Sequence, residues 1–197
     1  MADAQPRILV FAGSLRTESF NHKLVVAASK GAEQAGAIVT IIRLREFQLP
    51  LYDQEIEDHQ GLPENCLKLK ELFKAHHGFL IGCPEYNSSI SGVLKNTIDW
   101  VSRPHEGDAP LECFDRKVIG LTAASPGGLG GIRGLPIERM LFGHIKAIVL
   151  PDQYALAGAD KAFDDDGNLK DDKQRSMAEG VGKAVAEVAA RVGKVTA

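Results

Sequence analysis

The sequence predicts an α/β fold, a doubly wound five-stranded parallel sheet with helices on both faces. Five short apolar segments alternate along the chain with segments of helical periodicity, and this is the order in which parallel sheets are built. The apolar segments show little alternation of polar and apolar residues, so we expect the strands to be buried on both faces. The predicted strands are residues 8–12, 38–44, 78–83, 118–123 and 147–150.

Helices are predicted between and after these strands, where apolar residues recur at helical spacing. Gly36 is a plausible stop for the first helix, and Pro63 suits the start of the second. Residues 47–63 have no sustained period and are interpreted as a long excursion, which in compact domains is often functional or an interface. Residues 161–172 are acidic and are predicted to form a loop. The predicted helices are residues 24–36, 63–76, 93–101, a segment around 140–145, and 178–192.

Length and composition predict a single domain over residues 1–197, with flexible ends at residues 1–6 and 193–197. The chain has 197 residues, of which 44% are hydrophobic and 25% are charged, as is ordinary for a globular protein. The net charge of −3, from 23 basic and 26 acidic side chains, gives no reason to expect nucleic-acid binding. No apolar run approaches the ~18 residues that span a bilayer, so no membrane partner is expected.

Cysteine usage and the first residues of the chain predict a cytoplasmic protein. Cys66, Cys83 and Cys113 are far apart and form no C-x-x-C motif, which favours reduced thiols over disulfides. The first residues lack a basic start followed by an apolar core, so no secretory signal is expected.

The first predicted strand leads into a hydroxyl-rich turn, residues 13–21, that precedes the first helix. A helix N-terminus presents unpaired backbone N–H groups and the positive end of the helix dipole, and both attract anions. Ser14, Ser19 and Asn21 add side-chain donors, and Arg16 adds a planar cation suited to phosphate. The turn is therefore predicted to bind a phosphate-bearing ligand. The loop alone leaves open a second interpretation, in which Ser19 or Asn21 only caps the helix.

Three polar loops follow the first, third and fourth predicted strands. The second loop, residues 84–92, carries the aromatic Tyr86, and the third, residues 125–131, has four glycines within five residues. In open α/β sheets, ligands bind beyond the carboxyl ends of the strands, where the strand order switches. We therefore expect the three loops to converge and form one ligand site. The glycines either let the backbone approach a flat ligand or make the loop mobile.

Better-known phosphate motifs fail at the residues that they need. A Walker A loop starting at Gly13 requires Gly-Lys at its sixth and seventh positions, where this chain has Glu18 and Ser19. The first turn also lacks the further glycines of the dinucleotide fingerprint G-x-G-x-x-G. In the later glycine run, Arg133 stands where the third glycine is required.

Motifs for metal binding and for nucleophilic catalysis fail as well. His76 and His77 are adjacent and point apart on a helix, and no H-E-x-x-H motif occurs. The acidic run 164–167 lacks the first and twelfth carboxylates of a calcium loop, and Cys83 has no arginine at the spacing of a phosphatase loop. We predict no catalytic side chain and no metal site. The pattern is typical of a site in which a bound cofactor carries the chemistry.

Three segments together resemble the NADPH-dependent FMN reductase family, which has a flavodoxin-like fold and includes bacterial quinone, chromate and azo-dye reductases. The segments occur in the order and spacing of that family, and the resemblance covers residues 8–150. They are Gly13-Ser14-Leu15-Arg16-Thr17-Glu18-Ser19-Phe20-Asn21, Pro84-Glu85-Tyr86-Asn87-Ser88-Ser89 and Leu94-Lys95-Asn96-Thr97-Ile98-Asp99-Trp100.

The resemblance implies a single flavodoxin-like domain that binds FMN, with the phosphate on loop 14–21 and the ring along loop 84–88. Tyr86 would cover a ring edge, pack at a subunit contact or be buried as a structural tyrosine. The chain departs from the family at Ser91, where many members have proline, and at Pro126-Gly127-Gly128, in a loop that varies. The implied cofactor-binding residues are Ser14, Arg16, Ser19, Phe20, Asn21, Pro84, Glu85, Tyr86, Asn87, Ser88, Ser125, Gly127 and Gly128.

The resemblance implies a quinone reductase-type flavoenzyme, in which hydride passes from NADPH or NADH to FMN and then to quinone, free flavin, chromate or azo compounds. Two alternatives stay open: a flavodoxin-like electron-transfer protein that does not oxidise NAD(P)H, and a non-flavin module that senses phosphorylated ligands. The sequence assigns no second basic cluster to a 2′-phosphate, so it does not separate NADPH from NADH. A homodimer or homotetramer is also implied, with residues 47–63 as the expected contact.

Overall fold

The structure, a computed structural model, describes residues 5–195 and the side chains of residues 5–192. Its strands are β1 (Arg7–Ala12), β2 (Ile38–Ile41), β3 (Gly78–Gly82), β4 (Glu85–Tyr86), β5 (Ser89–Ile90), β6 (Val118–Ala124) and β7 (Ile148–Leu156). Five of them form a parallel sheet in the order β2-β1-β3-β6-β7, and β4 and β5 form an antiparallel hairpin. The predicted doubly wound sheet is confirmed, and its strand order switches between β1 and β3.

Helices cover both faces of the sheet, so its central strands have no solvent-facing side. Ile8 and Val10 of β1 point into one apolar core, and Leu9 and Phe11 point into the other, because successive side chains of a strand alternate. The helices are α1 (Phe20–Gln34), α2 (Gln54–Gln60), α3 (Glu64–Ala75), α4 (Gly92–Val101), α5 (Leu135–His144), α6 (Ala159–Ala162) and α7 (Asp172–Val195). The first core contains α1 and α7, and the second contains α3, α4 and α5.

A pair of glycines sets the close approach of α1 and α7. A Cβ added to Gly31 would lie 1.9 Å from the Glu179 carbonyl oxygen, and one added to Gly182 would lie 1.9 Å from the Ala28 carbonyl oxygen. No side chain fits at either position, so the two helix backbones pack directly against each other. The face of α1 behind the first loop is therefore buried by α7.

The second strand and the excursion differ from their predicted forms. Strand β2 ends at Ile41, short of the predicted residue 44, because the chain turns into a 3₁₀ helix over Leu44–Glu46. It is an edge strand with Ile38 and Ile41 nearly half exposed, so the expectation of burial on both faces is wrong for β2. The excursion contains α2, whose N-terminus is capped by Asp53 accepting a hydrogen bond from the Glu55 N–H at 2.8 Å.

The last strand is longer than predicted because it continues through a proline. The predicted strand covers residues 147–150, but β7 runs from Ile148 to Leu156, with a register shift between Ile119 and Leu121 of β6. Proline is tolerated there because β7 is an edge strand and the shift interrupts the ladder. The helix expected around residues 140–145 likewise begins earlier, at Leu135, and the loop predicted from 161 starts inside α6.

The predicted flexible ends fall partly on residues 1–4 and 196–197, which lie outside the described residues. Within the described part, Pro6 is buried and its carbonyl accepts a hydrogen bond from the Ile38 N–H at 2.9 Å. Helix α7 continues to Val195. Among the described helices, none has the length and apolar character needed to cross a membrane.

Candidate functional site

The loops after β1, β3 and β6 lie at one edge of the sheet and line two cavities. The smaller has a volume of about 100 Å³ and the larger about 410 Å³, and they share Glu85 and Ser125. Of the 13 predicted site residues, 12 line one cavity or both, and Ser88 lines neither. The smaller is lined by Ser14, Arg16, Ser19, Phe20, Asn21, Pro84, Glu85, Tyr86, Ala124, Ser125 and Pro126, and the larger by Glu85, Asn87, Ser125, Gly127, Gly128, Leu129, Gly131 and Arg133.

The first loop is fixed at its base by a glycine and by the N-cap of another helix. Gly13 donates a hydrogen bond to the Gly82 carbonyl at 2.8 Å, and a Cβ on it would lie 2.7 Å from Leu94 Cβ. The buried Ser91 hydroxyl donates to the Gly13 carbonyl at 2.6 Å and accepts from the Leu94 N–H at 3.3 Å. Ser91, where many family members have proline, therefore caps α4 and ties it to the loop.

Within the described part of the chain, the N-terminus of α1 is capped by a side chain and still has unpaired backbone N–H groups. The Ser19 hydroxyl oxygen accepts from the His22 N–H at 3.2 Å. The N–H groups of Phe20 and Asn21 have no acceptor within residues 5–195. A hydroxyl that accepts one hydrogen bond can also donate one. Helix capping and anion binding, the two interpretations of this loop, are thus compatible.

The remaining donors of the first loop suit a phosphate dianion. Arg16 is exposed, its guanidinium lies 5.9 Å from the centre of the Phe20 ring, and no carboxylate pairs with it among the described side chains. The Ser14 hydroxyl oxygen accepts from the Arg16 N–H at 3.2 Å, which leaves its proton free to donate. A guanidinium, two hydroxyls and two backbone N–H groups form a donor set with no competing acid in the cavity wall except Glu85.

Asn21 has a structural contact that the sequence did not reveal. Its side-chain amide donates to the Ala124 carbonyl at 2.9 Å, and its side-chain oxygen accepts from the Ala124 N–H at 2.9 Å. Both groups are buried. Because one side-chain N–H and the side-chain oxygen are used in this way, the backbone N–H and the second side-chain N–H of Asn21 are the donors left for a ligand. The same contact ties the first loop to the end of β6.

The second loop is a tight hairpin that presents Tyr86 at the surface. Asn87 and Ser88 occupy its two turn positions with φ of 53° and 62°, the backbone of a type I′ turn. Of these two turn residues, Asn87 lines the larger cavity and Ser88 lines neither. Tyr86 is 51% exposed, so it is not a buried structural tyrosine.

Arg133 holds the second and third loops together and was not predicted as a site residue. Its Nε donates to Glu85 Oε1 at 2.9 Å, while the backbone N–H groups of Arg133 and Gly134 donate to Glu85 Oε2 at 2.9 and 3.2 Å. Burial alone would raise the pKa of the Glu85 carboxyl, but these hydrogen bonds and the Arg133 charge lower it. Glu85 therefore stays ionised and acts as a clamp between the loops.

The third loop combines an exposed pair of glycines with a second pair in the left-handed backbone conformation. Gly127 and Gly128 line the larger cavity with free space around them, and the Gly127 N–H donates to the Ser125 hydroxyl oxygen at 3.1 Å. Gly130 and Gly131 have φ of 62° and 86°, a conformation that favours glycine. The first pair thus leaves backbone open to a ligand, and the second makes the turn.

Glu138 is a buried carboxyl directly behind this clamp. It has no exposed surface, and neither of its oxygens has a hydrogen-bond partner in the described part of the chain. A Cβ on Gly134 would lie 3.4 Å from Glu138 Oε2 and 3.6 Å from Glu85 Cβ. Burial, and to a smaller extent the Glu85 charge, raises the pKa of Glu138 to about 7. Burial also raises the pKa of the Cys83 thiol, so Cys83 is not an activated nucleophile.

Comparison with protein-family models assigns residues 6–161 to the model described as NADPH-dependent FMN reductase. The chain belongs to the NADPH-dependent FMN reductase family. It is 34% identical over 166 residues to a quinone reductase of Pseudomonas putida, and the match covers 83% of this chain and 84% of that protein. The expected membership of a family of NAD(P)H-dependent FMN and quinone reductases is confirmed.

The solved structures of a flavoenzyme oxidoreductase and of a flavodoxin share the fold. FerB of Paracoccus denitrificans, a flavoenzyme NAD(P)H:(acceptor) oxidoreductase, superposes with a TM-score of 0.79 at 26% identity, over 94% of this chain and 98% of FerB. A flavodoxin from the domain Archaea superposes with a TM-score of 0.59 at 11% identity, over 93% and 98%. The flavodoxin-like fold of this FMN reductase family member is thus confirmed.

Proposed function

We propose that this chain binds FMN across the two cavities and catalyses the NAD(P)H-dependent reduction of quinones or similar acceptors. The observation that carries the proposal is an anion-binding loop beside a backbone-rich cleft at one edge of the sheet. A phosphorylated flat ligand such as FMN needs both features. Family membership and the likeness to a quinone reductase and to FerB support the same activity.

In this proposal the FMN phosphate lies at the N-terminus of α1. Arg16 has no carboxylate partner among the described side chains, so its guanidinium is free to pair with the phosphate. The hydroxyls of Ser14 and Ser19 donate to it, and so do the backbone N–H groups of Phe20 and Asn21. Asn21 contributes its backbone N–H, because its side-chain oxygen and one side-chain N–H are bound to Ala124.

In this proposal the flavin ring lies at the larger cavity, whose lining includes three glycines. Glu85 and Asn87 of the second loop, together with Ser125, Gly127 and Gly128, would supply N–H and C=O groups to the ring edges. When bound, FMN supplies the redox chemistry by accepting a hydride from NAD(P)H and passing electrons to the acceptor. The chain's own task is to bind and orient, and the Glu85–Arg133 clamp keeps the two ring-side loops at a fixed separation.

Exposed apolar side chains around the larger cavity favour flat aromatic acceptors. Tyr86, Leu129 and Ile132 are each about half exposed, and Leu129 lines the cavity itself. Such a rim stabilises an aromatic ring by excluding water from it. We expect quinones to be reduced with lower KM than chromate, and a steady-state screen with NADPH, quinone, azo dye, free FMN and chromate checks this.

Flavin binding and anaerobic reduction test the function directly. The protein is saturated with FMN, freed of excess, and mixed with NADPH or NADH without oxygen. Bleaching of the flavin, followed by reoxidation on adding quinone, supports the proposed enzyme. Flavin that stays oxidised indicates an electron carrier instead. Protein that takes up no FMN contradicts both and favours a module for other phosphorylated ligands.

Self-association and a cytoplasmic location also stay proposals. Residues 47–63, the expected subunit contact, pack against α4, where the Pro50 carbonyl accepts a hydrogen bond from Trp100 Nε1 at 2.8 Å. The Leu51 side chain in this segment is 81% exposed. Leu51→Ser should therefore shift the oligomer towards monomer in sedimentation experiments. The three cysteines are buried and free, which suits a reducing compartment.

A further inference from the structure

Two arginines after β2 contact the outer side of the first loop. Arg43 Nη1 donates to the Thr17 carbonyl oxygen at 3.1 Å, and Arg45 Nη1 donates to the Thr17 hydroxyl oxygen at 2.5 Å. They reach this edge of the sheet because β2 ends at Ile41 and the chain then turns. The strand predicted over residues 38–44 gives no indication that these arginines contact Thr17.

Neither arginine is neutralised by a carboxylate. A guanidinium has five N–H donors, and no acid forms an ion pair with Arg43 or Arg45 among the described side chains. Glu18, beside Thr17 in the sequence, forms its ion pair with Lys23 at 2.8 Å, and Lys23 first and then the Arg43 charge lower the pKa of its carboxyl. Other arginines of the chain do have acidic partners: Arg103 pairs with Glu57 and Arg133 with Glu85.

The charge of Arg43 affects the pKa of a neighbouring histidine, His22. Burial lowers the pKa of His22, the Arg43 charge lowers it further, and Glu46 opposes them. Arg16, on the same loop as Thr17, also lacks a carboxylate partner in the described structure. Two acids, Glu18 and Glu46, lie in electrostatic range of Arg43 or His22. Two guanidinium groups contact one exposed residue, Thr17. This is a setting for a second anion beyond that held at the N-terminus of α1.

A dinucleotide is long enough to span the distance between Arg43 and Arg45 and the loops after β3 and β6. Strand β2 is the neighbour of β1, and β1 is the neighbour of β3, so β2 and β3 are about 10 Å apart across the sheet. A nicotinamide ring at the larger cavity is joined through a pyrophosphate to an adenosine that extends away from it. The adenosine can therefore reach the end of β2.

We propose that Arg43 and Arg45 bind the 2′-phosphate of NADPH and make the chain select NADPH over NADH. The two nucleotides differ only in this phosphate monoester, a dianion that matches the planar donors of a guanidinium. Dinucleotide-binding domains of another α/β fold use an arginine near the ribose for the same purpose. The inference rests on the proposed function, since it concerns the electron donor of that site.

Binding without turnover gives the first test. Calorimetry compares adenosine 2′,5′-bisphosphate, AMP and inorganic phosphate on FMN-loaded protein. The bisphosphate should bind at least roughly tenfold more tightly than AMP and than inorganic phosphate, as expected for a charge-assisted pair. Arg43→Ala combined with Arg45→Ala should remove that difference. Arg7→Ala, which deletes one positive charge from the opposite edge of the sheet, should keep it.

Kinetics and spectroscopy give the second test. The double variant should lose at least roughly tenfold more kcat/KM with NADPH than with NADH. In the wild type, the bisphosphate should raise the pKa of His22 in NMR titrations, because a bound dianion offsets Arg43, whereas AMP should not. Thr17→Val removes the hydroxyl that Arg45 contacts and should preserve the preference for NADPH.

Several outcomes would overturn the inference. One is an equal loss with both nucleotides in the double variant, which would make the arginines simple supports of the first loop. Another is equal binding of bisphosphate and AMP by the wild type, or equally tight binding of inorganic phosphate. The proposed function fails differently, through the absence of FMN uptake or of flavin bleaching by either nucleotide. Bleaching with both and no preference leaves the function intact and rejects the arginine site.

Discussion

The phosphate end and the ring end of the candidate site are built in different ways. The phosphate end comes almost entirely from the continuous segment 13–21, whose hydroxyls, arginine and helix N-terminus are neighbours in the sequence. The ring end is held by contacts between residues far apart, with Glu85 bound to Arg133 and Glu138 buried behind both. Local sites can be predicted from motifs, whereas sites held by long-range pairs need the fold.

Asn21→Ala should have the largest effect on stability, because it removes the two hydrogen bonds that join the first loop to the end of β6. The substitution leaves the buried Ala124 N–H and C=O without partners, at about 2 kcal/mol for each group. We expect the free energy of unfolding to fall by about 4 kcal/mol, measured by urea denaturation. A loss below about 1 kcal/mol would show that the two ends are not joined through this side chain.

Glu138 should make the ring end sensitive to pH. A carboxyl whose pKa rises from 4.5 to about 7 on folding binds its proton more tightly in the folded state. Protonation of Glu138 therefore stabilises the folded state most below pH 4.5, and this contribution to the free energy of unfolding is lost as the pH rises through 7. The change amounts to about 3 kcal/mol at 1.36 kcal/mol per pKa unit.

The Glu138→Gln variant isolates this effect from other titrating groups. Denaturation of wild type and variant is compared at pH 4 to 8, and the variant should gain stability relative to the wild type as the pH rises. A constant difference between the two proteins over that range would show that Glu138 is ionised or solvated in the folded state.

Glu85→Ala tests the clamp between the ring-side loops. It leaves the Arg133 N–H without its acceptor and the Gly134 N–H with only the Gly131 carbonyl at 3.3 Å, and it should cost about 2 kcal/mol in the free energy of unfolding. FMN should also dissociate faster, as measured by the recovery of flavin fluorescence. Arg133→Ala is the matched control, and it should cost about 1 kcal/mol or less because that side chain is 57% exposed. An equal loss in both variants would assign the stabilisation to the ion pair alone.

Arg16→Ala should have the smallest effect on folding and a clear effect on the cofactor. Arg16 is exposed and makes no ion pair with a described side chain, so stability should change by less than about 0.5 kcal/mol. FMN affinity should fall roughly tenfold, since one charge-assisted contact to the phosphate is lost. Fluorescence titration and thermal unfolding measure the two quantities. Parallel losses in both would reduce the loop to a helix cap.

The sequence predicted the sheet, which is confirmed, and indicated a phosphate loop at residues 13–21, which stays a prediction, because both signals are local. Buried strands appear as apolar runs, and the donors of loop 13–21 are adjacent. It could not predict the clamp, since Glu85 and Arg133 are 48 residues apart and the pairing of β3 with β6 brings them together. It also missed the double contact of Asn21 with Ala124. The arginines after β2 were overlooked because Arg43 falls inside the predicted strand 38–44 and Arg45 just beyond its end.

The glycine contact between α1 and α7 has a consequence for the order in which the molecule is assembled. Helix α1, which carries the phosphate end, is among the first elements to be synthesised, and the surface that covers it comes from α7, the last. Until Gly182 can dock against Ala28, the buried face of α1 stays open to water. The face of α1 behind the first loop is therefore covered late, after the rest of the described sheet and its helices have been synthesised.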